Sequence, residues 1–336
     1  MREPAFKGMQ DIADLTYYPD NRPGITRRKQ GRGWRYIAPD GTGIDAPEER
    51  RRLNALAVPP AYRDVWMCPD PRGHLQATGR DDRKRKQYRY HADWTAFRAR
   101  KKFAHLAAFG AALPSLRQRI LRDLRDHEAG DHDFAVAAIL ALLDRANLRV
   151  GNPDYARQNK TFGATTLRSR HLDLTEDEVR LDYRAKGGEK VKKRLRDRTL
   201  NRVLERLDDL DGPTLVAWED TDGTARSVGS DTINARLADW TGEAAITAKT
   251  FRTWNGSAAA LDVAMRSETV TIKAMTEAAA ERLHNTPAIC RTSYVHPRVI
   301  DLAEVPFDVR RAYLSDAPDI RGLRQSEAAL LNLLRD

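Results

Sequence analysis

The sequence is poor in cysteine: its 336 residues include only Cys68 and Cys290, far apart in the chain. Two distant cysteines do not make a disulfide framework, and no cluster of Cys and His with metal-ligand spacing is visible. Long apolar runs are lacking as well. The longest, FAVAAILALL at 134–143, has the length of a buried helix and falls short of the roughly 20 residues that a membrane-spanning helix needs. We therefore expect neither a disulfide-stapled domain nor a metal site nor a membrane segment.

The beginning of the sequence, MREPAFKGMQDIADL, lacks the apolar stretch of a secretory signal peptide. The phosphate-binding loop G-x-x-x-x-G-K-S/T, which would indicate a bound nucleoside triphosphate, is also absent. From the missing signal peptide we expect a cytoplasmic protein. The missing loop agrees with a protein that uses no nucleotide, and we expect no cofactor.

Positive charge is what the sequence has in excess. Lys and Arg number 58 against 48 Asp and Glu, which gives a net charge of +10. Such an excess favours a polyanionic partner, most commonly nucleic acid. Two segments concentrate it, RDDRKRKQYRY at 80–90 and RAKGGEKVKKRLRDR at 184–198. Basic side chains in such segments pair with phosphates, while amides and phenols contact sugars and base edges. The expected partner is nucleic acid, with DNA contact at these two segments, which in a cell without a nucleus would place the protein on the nucleoid.

Turn residues divide the chain into two parts. Up to residue 90, clusters of Gly, Pro and Asp alternate with short runs such as WRYI and YRDVWMC, a pattern that predicts short antiparallel strands. From residue 91 onwards, apolar residues recur mostly at helical spacing. Apolar and polar residues alternate between 178 and 196 on both sides of Gly187-Gly188, and this pattern predicts a β-hairpin. The expected fold is α+β, with a small antiparallel β-rich N-terminal domain at 1–90 and a larger, mainly α-helical domain at 91–336.

Four stretches carry residues suited to the chemistry of a phosphodiester. They are LRVGN at 148–152, RAKGG at 184–188, KTFRTWNG at 249–256 and HNTPAICRTSY at 284–294. Each candidate alone has an ordinary explanation, because an arginine at a helix end usually caps carbonyls and a hairpin lysine is usually solvated. In the last stretch, Thr286-Pro287 predicts the start of a short helix that ends near a tyrosine. The candidates are Arg149, Lys186, Arg252, Asn285 and Tyr294.

In this order, the four stretches resemble the type IB DNA topoisomerases, specifically the poxvirus-type branch that also occurs in bacteria. The likeness extends from about residue 15 to residue 310. It implies a catalytic domain of the topoisomerase/tyrosine recombinase kind, with Tyr294 as the nucleophile and Arg149 and Arg252 as the two catalytic arginines. It also implies that Lys186 protonates the leaving oxygen. Asn285 stands where many members of the family have histidine.

The resemblance implies DNA contacts outside the catalytic set as well. GRDDRKRKQYRYH at 79–91 is similar to the family's DNA-clamping segment, so its amide and its two phenols would face the major groove. One further tyrosine falls where the family has another DNA contact. The DNA-binding candidates are Arg83, Lys86, Gln87, Tyr88, Tyr90 and Tyr155. The resemblance also implies that the partner is double-stranded DNA and that the protein clamps around it as a monomer.

The implied activity is relaxation of supercoiled DNA by transient cleavage of one strand through a 3′-phosphotyrosyl intermediate, without ATP or metal ions. A tyrosine recombinase has related chemistry, but the β-rich first ninety residues and FRTWNG in place of the usual LRH favour a topoisomerase. A non-catalytic basic DNA-binding protein would account for the charge and not for four ordered motifs. The final stretch, IRGLRQSEAALLNLLRD at 320–336, predicts a helix that either packs on the core or covers DNA.

Overall fold

The computed structural model describes residues 14–31 and 33–335. The chain divides into two compact units between Ala104 and His105. The change from a turn-rich to a helical sequence pattern predicted a boundary near residue 90. The first unit extends further because the helix after residue 91 packs on it. The Trp94 ring lies edge-on to the His74 ring, with 5.2 Å between their centroids. The N-terminal compact unit therefore contains one helix more than the turn-rich segment.

Short antiparallel strands dominate the N-terminal unit. Its elements are β1 (Thr26–Gln30), β2 (Gly33–Ile37), α1 (Pro47–Ala55), β3 (Arg63–Met67), β4 (Leu75–Arg80), β5 (Lys86–Tyr90) and α2 (Ala92–Phe103). β1 pairs with β2, and β3, β4 and β5 form a second sheet in that order. Ile25, Tyr36, Leu53 and Met67 belong to a small core shared by the strands and α1. This part of the chain has the antiparallel, β-rich character that the sequence predicted.

The C-terminal unit is mainly α-helical. Its helices are α3 (Leu106–Asp126), α4 (His132–Arg145), α5 (Pro153–Asn159), α6 (Arg198–Asp208), α7 (Ser230–Thr241), α8 (Ala248–Arg266), α9 (Ile272–Leu283), α10 (Pro287–Ser293), α11 (Pro297–Asp301), α12 (Phe307–Ser315) and α13 (Gln325–Arg335). Its strands are β6 (Leu172–Leu174), β7 (Val179–Arg184), β8 (Lys190–Leu195), β9 (Ala217–Glu219) and β10 (Ala225–Ser227). β7 and β8 form the hairpin expected near 178–196, with β6 beside β7. Together the two units confirm the α+β fold class.

The core of the C-terminal unit is organised by α4 and α8. The run FAVAAILALL is buried along its whole length in α4, and no helix within residues 14–31 and 33–335 has the length and apolarity to cross a membrane. On α8, the buried Trp254 ring lies 5.9 Å from the Phe109 ring of α3. A Cβ atom at Gly110 would stand 2.3 Å from the Trp254 ring, so glycine permits this close approach. The packing fixes α8, and with it Arg252.

The final helix, α13, packs into the same core. Ala329 and Leu330 are fully buried. Glu327, 1% exposed, accepts hydrogen bonds of 2.8 Å from Arg117 on α3, which also donates at 2.8 Å to Asp144 on α4. Burial opposes ionisation of Glu327, but the hydrogen bonds and charge of Arg117 outweigh burial and lower the pKa of this carboxyl. Of the two possibilities that the sequence left open, the helix packs on the core.

Replacing Arg117 by methionine is expected to destabilise the protein by about 3–5 kcal/mol, because two buried carboxylates lose their shared cation. Arg117 holds the folded pKa of Glu327 below its unfolded value. The stabilisation is therefore present above the unfolded pKa and is lost as the pH falls through the folded pKa. Urea unfolding at neutral and acidic pH measures both effects. The control is Arg125→Met on the same helix, whose exposed side chain pairs with Asp126; equal losses in both variants would contradict the prediction.

Candidate active site

Arg252 is buried in the second turn of α8, where a surface arginine would be the ordinary expectation. Its side chain donates hydrogen bonds to the carbonyl oxygens of Asn147 at 2.5 Å and Leu283 at 2.9 Å. Burial and then the charge of Arg149 lower its pKa, and Tyr294 opposes this effect. Among the described residues, nothing pairs with its buried Nε. One donor of this guanidinium group is thus left for a ligand.

Tyr294 follows directly after α10 and lies against Arg252. Thr286 caps this short helix by accepting a hydrogen bond from the Ile289 amide at 3.3 Å, and Pro287 occupies its first turn. The Tyr294 carbonyl accepts a hydrogen bond of 3.1 Å from the Ser257 hydroxyl on α8. The guanidinium carbon of Arg252 lies 5.1 Å from the centroid of the Tyr294 ring. Helix α10 therefore ends where its tyrosine meets the buried arginine.

Glycine residues allow the backbone to approach closely at two points around this pair. A Cβ atom at Gly256 on α8 would stand 3.0 Å from the Tyr294 carbonyl oxygen. A Cβ atom at Gly163 would stand 2.5 Å from the carbonyl oxygen of Arg149, which accepts a hydrogen bond from the Ala164 amide at 2.8 Å. The loop that carries Arg149 is thereby held against the segment that follows α5.

Arg149 contributes a second positive charge at this place. Its charge lowers the pKa of the buried Arg252, after burial itself. It also acts on Tyr183. Burial raises the pKa of this tyrosine to about 12, although the charges of Arg252 and Arg149 oppose the rise. Three of the five expected catalytic residues, Arg149, Arg252 and Tyr294, are therefore brought together.

The remaining two candidates, Lys186 and Asn285, have different surroundings. Lys186 is exposed in the turn between β7 and β8, next to Gly187 and Gly188, whose φ angles are +89° and +84°. Within the described chain, no side chain forms a hydrogen bond or ion pair with Lys186. Asn285 lies just after α9, and its Oδ1 accepts a hydrogen bond from the Thr286 amide at 3.0 Å. The structure thus places Lys186 on the exposed turn of the hairpin, and Asn285 at the entry to α10.

Lys193 on β8 was missed by the sequence reasoning, which saw it only as part of a basic segment. Its Nζ donates hydrogen bonds to the carbonyl oxygens of Ala146 at 2.6 Å and Arg282 at 3.3 Å. Burial, followed by the charges of Arg252 and Arg282, lowers its pKa to about 7. A signal was present: in KVKKRL, Lys193 falls on the same face of the strand as the apolar Val191 and Leu195.

His284, the residue before Asn285, belongs to the same neighbourhood. It ends α9 in a left-handed conformation with a φ of +45°. Burial, and then the charges of Lys193, Arg252 and Arg149, lower its pKa. These cations make the site strongly positive. No group of three His, Cys, Asp or Glu side chains suited to a metal ion occurs in the parts of the chain that the structure describes.

The DNA-binding candidates of the N-terminal unit lie on β5 and the turn before it. The Tyr88 and Tyr90 rings stack, with centroids 6.0 Å apart, and are 49% and 45% exposed. Lys86 pairs with Asp20 at 2.5 Å, and the Gln87 amide donates to Asp81 at 3.0 Å. Arg83 is exposed in the turn. In the C-terminal unit, Tyr155 on α5 is 53% exposed. Two stacked phenols on one strand face, beside basic residues, offer a surface for nucleic acid.

Comparison with known protein families gives this geometry a context. Residues 88–291 match the family model of the eukaryotic DNA topoisomerase I catalytic core. The chain belongs to the type IB DNA topoisomerases. Residues 33–81 of this topoisomerase match a second family model, the N-terminal domain of bacterial DNA topoisomerase IB. DNA topoisomerase 1B of Acanthamoeba polyphaga mimivirus is 28% identical over 295 residues, which cover 83% of this chain and 87% of that relative.

The matches bear on the alternatives that the sequence left open. The catalytic-core match includes the segments of Arg149, Lys186, Arg252 and Asn285 and ends at residue 291, shortly before Tyr294. A recombinase or a non-catalytic DNA-binding protein would explain neither this match nor the topoisomerase match at 33–81. The type IB topoisomerase assignment is thus confirmed, while the individual roles of the site residues stay predictions.

Proposed function

We propose that this topoisomerase relaxes supercoiled DNA by cleaving and rejoining one strand, with Tyr294 as the nucleophile and without ATP or metal ions. The observation that supports this most is the contact between the buried Arg252 guanidinium and the Tyr294 ring, 5.1 Å from its centroid. Arg149 adds a second guanidinium charge. A phenol held beside two arginines, one with an unpaired buried Nε, suits attack on a phosphodiester.

In the proposed cleavage step, the Tyr294 phenol loses its proton to water, and its oxygen bonds to phosphorus as the bond from phosphorus to the 5′-oxygen breaks. Negative charge on the phosphate rises from one towards two in the transition state. Arg149 and Arg252 stabilise it with their positive charges, and the unpaired Nε of Arg252 donates a hydrogen bond to a phosphate oxygen. Rejoining reverses the step: the 5′-hydroxyl attacks the phosphotyrosine and releases Tyr294. Because the covalent intermediate conserves the bond energy, no nucleotide is consumed.

Lys186 and Asn285 have supporting roles in this proposal. Lys186 donates a proton to the departing 5′-oxygen, a general-acid role. It stands on an exposed turn beside two glycines with positive φ, where DNA can order it against the cleavage site. Asn285 donates a hydrogen bond to a non-bridging phosphate oxygen. Because an amide does not exchange a proton in the way an imidazole does, its role is electrostatic.

The proposed DNA complex is a monomer on duplex DNA. Gln87, Tyr88 and Tyr90 read the major groove, Arg83 and Lys86 pair with phosphates, and Tyr155 adds a contact from the catalytic unit. Contacts of this kind position the backbone for cleavage. In a bacterial cell, such an enzyme is associated with the nucleoid.

Plasmid relaxation tests the proposal. With supercoiled plasmid, EDTA and no nucleotide, we expect complete conversion to relaxed topoisomers at a rate similar to that with Mg²⁺ and ATP present. Detergent quenching of a cleavage reaction on end-labelled DNA should show the protein linked to the 3′ end of the broken strand. A requirement for nucleotide or divalent cation, or a link to the 5′ end, would refute the proposed chemistry.

A further inference from the structure

In the C-terminal unit, two cationic side chains each donate hydrogen bonds to the ends of the same two helices. α4 ends at Arg145 and α9 at Leu283. Lys193 donates to the carbonyl oxygens of Ala146 (2.6 Å) and Arg282 (3.3 Å). Arg252 donates to the next carbonyl in each segment, Asn147 (2.5 Å) and Leu283 (2.9 Å). The two cations therefore connect the same two segments, one residue apart.

This arrangement has a clear physical basis. The last carbonyl groups of a helix have no partner within it and lie at the negative end of its dipole. A cation that donates to such carbonyls from two helices holds both ends at a fixed separation. Asn147 adopts a φ of +55° and His284 a φ of +45°. Both segments thus leave helical geometry at the bridged carbonyls, where outside donors are needed to fix the chain.

The bridged segments lead directly to the catalytic candidates. Ala146 comes shortly before Arg149, and Arg282 shortly before Asn285. Lys193 itself lies on β8, the second strand of the hairpin whose turn carries Lys186. One ammonium group thus joins three of the segments that supply the site, and the fourth is joined through Arg252.

We propose that Lys193 is a positioning residue for DNA cleavage: its ammonium group, acting with Arg252, fixes the segments of Arg149 and Asn285 against the hairpin of Lys186. The inference rests on the proposed catalytic roles of those residues. Among the described residues, no carboxylate forms an ion pair with Lys193, and its side chain contacts main-chain oxygens. It therefore orders the backbone rather than neutralising an acid.

The charge environment of Lys193 agrees with such a role. The groups that act on it are Arg252 on α8 and Arg282 on α9, and its own charge lowers the pKa of His284. Burial and these two arginines together lower the pKa of Lys193 to about 7. Because its hydrogen-bond partners are carbonyl oxygens of two segments, Lys193 acts on the geometry of those segments.

Single-turnover cleavage of a short duplex, with DNA affinity measured separately, tests the proposal. Lys193→Met should cleave on the order of 10² times more slowly, because a small misplacement of catalytic groups has an effect of that size. Its DNA dissociation constant should stay close to that of the unaltered enzyme, since the side chain is turned into the protein. Lys193→Arg, which keeps the charge and the donors, should recover most of the rate. The control is Lys273→Met, an exposed lysine on α9 that pairs with Glu277 at 3.9 Å, with an unchanged cleavage rate.

The outcomes separate this inference from the proposed function. If the unaltered enzyme forms no covalent complex, the proposed function itself fails. If it does, and Lys193→Met cleaves at an unaltered rate, only the positioning role is overturned. Parallel losses of thermal stability, DNA binding and cleavage in Lys193→Met, without recovery in Lys193→Arg, would show a merely structural lysine. Should Lys193→Met not fold, Lys193→Gln takes its place, with about a tenfold slower cleavage expected, because the shorter, uncharged amide keeps two N–H donors.

Discussion

Replacement of Tyr294 by phenylalanine is expected to abolish cleavage and relaxation while leaving DNA binding nearly intact. The change removes one oxygen and keeps the ring that packs against the Arg252 guanidinium, 5.1 Å from its centroid. The main-chain contact with Ser257 is also retained, so the fold around α10 should not change. Without the nucleophile there is no route to the covalent intermediate, and the loss should exceed about 10⁴-fold.

Plasmid relaxation and detergent-quenched cleavage measure the activity of Tyr294→Phe, and a filter-binding or gel-shift titration measures its DNA affinity. Tyr313→Phe on α12 is the matched control, since it makes the same chemical change in the same unit outside the proposed site. Relaxation by Tyr294→Phe at a measurable fraction of the normal rate would remove Tyr294 from the mechanism. A large loss of DNA affinity would instead indicate a binding role for the hydroxyl group.

Local patterns in the sequence predicted the elements that carry the site. Thr286-Pro287 predicted the start of a short helix ending near Tyr294, and α10 spans Pro287–Ser293. The alternation around Gly187-Gly188 predicted the hairpin formed by β7 and β8. These predictions depend on capping, on proline at a helix start and on glycine in a tight turn, which act within a few residues.

Features that depend on tertiary packing were not predictable in the same way. The pattern from Asp131 to Gly151 predicts one helix, whereas α4 ends at Arg145. It ends there because the carbonyl groups of Ala146 and Asn147 turn to Lys193 and Arg252. Partners more than forty residues away in the sequence decide this end, and no local propensity reports them.

Arg252 shows the same division between local and tertiary information. Its stretch KTFRTWNG predicts a helix, which α8 confirms. The spacing of apolar residues in that helix, taken alone, predicts that Arg252 lies on the surface. The side chain is buried because Asn147 and Leu283 supply carbonyl partners. Lys186 is the converse case: its hairpin was predicted, and the structure leaves its side chain exposed in the turn. Its approach to the 5′-oxygen therefore depends on bound DNA and stays a prediction.

Replacement of Arg252 by lysine is expected to slow cleavage by about 10²–10³-fold, equivalent to about 2.7–4 kcal/mol of transition-state stabilisation. Lysine keeps the positive charge, so charge alone would predict a small effect. Its single ammonium group does not reproduce the planar fork that holds the carbonyls of Asn147 and Leu283 and still leaves Nε for the phosphate. Geometry rather than charge is thus what the substitution removes.

The measurement is the single-turnover cleavage rate of Arg252→Lys on a short duplex, at DNA concentrations that saturate the enzyme, so that weaker binding does not lower the apparent rate. Arg266→Lys, at the exposed end of the same helix and paired with Asp262 at 2.8 Å, is the control and should cleave normally. Circular dichroism and thermal unfolding establish that both variants are folded. A cleavage rate for Arg252→Lys within a few fold of the unaltered enzyme would mean that a point charge suffices at this position. The need for a guanidinium group at residue 252, which holds two carbonyls while its Nε donates to the phosphate, would then be refuted.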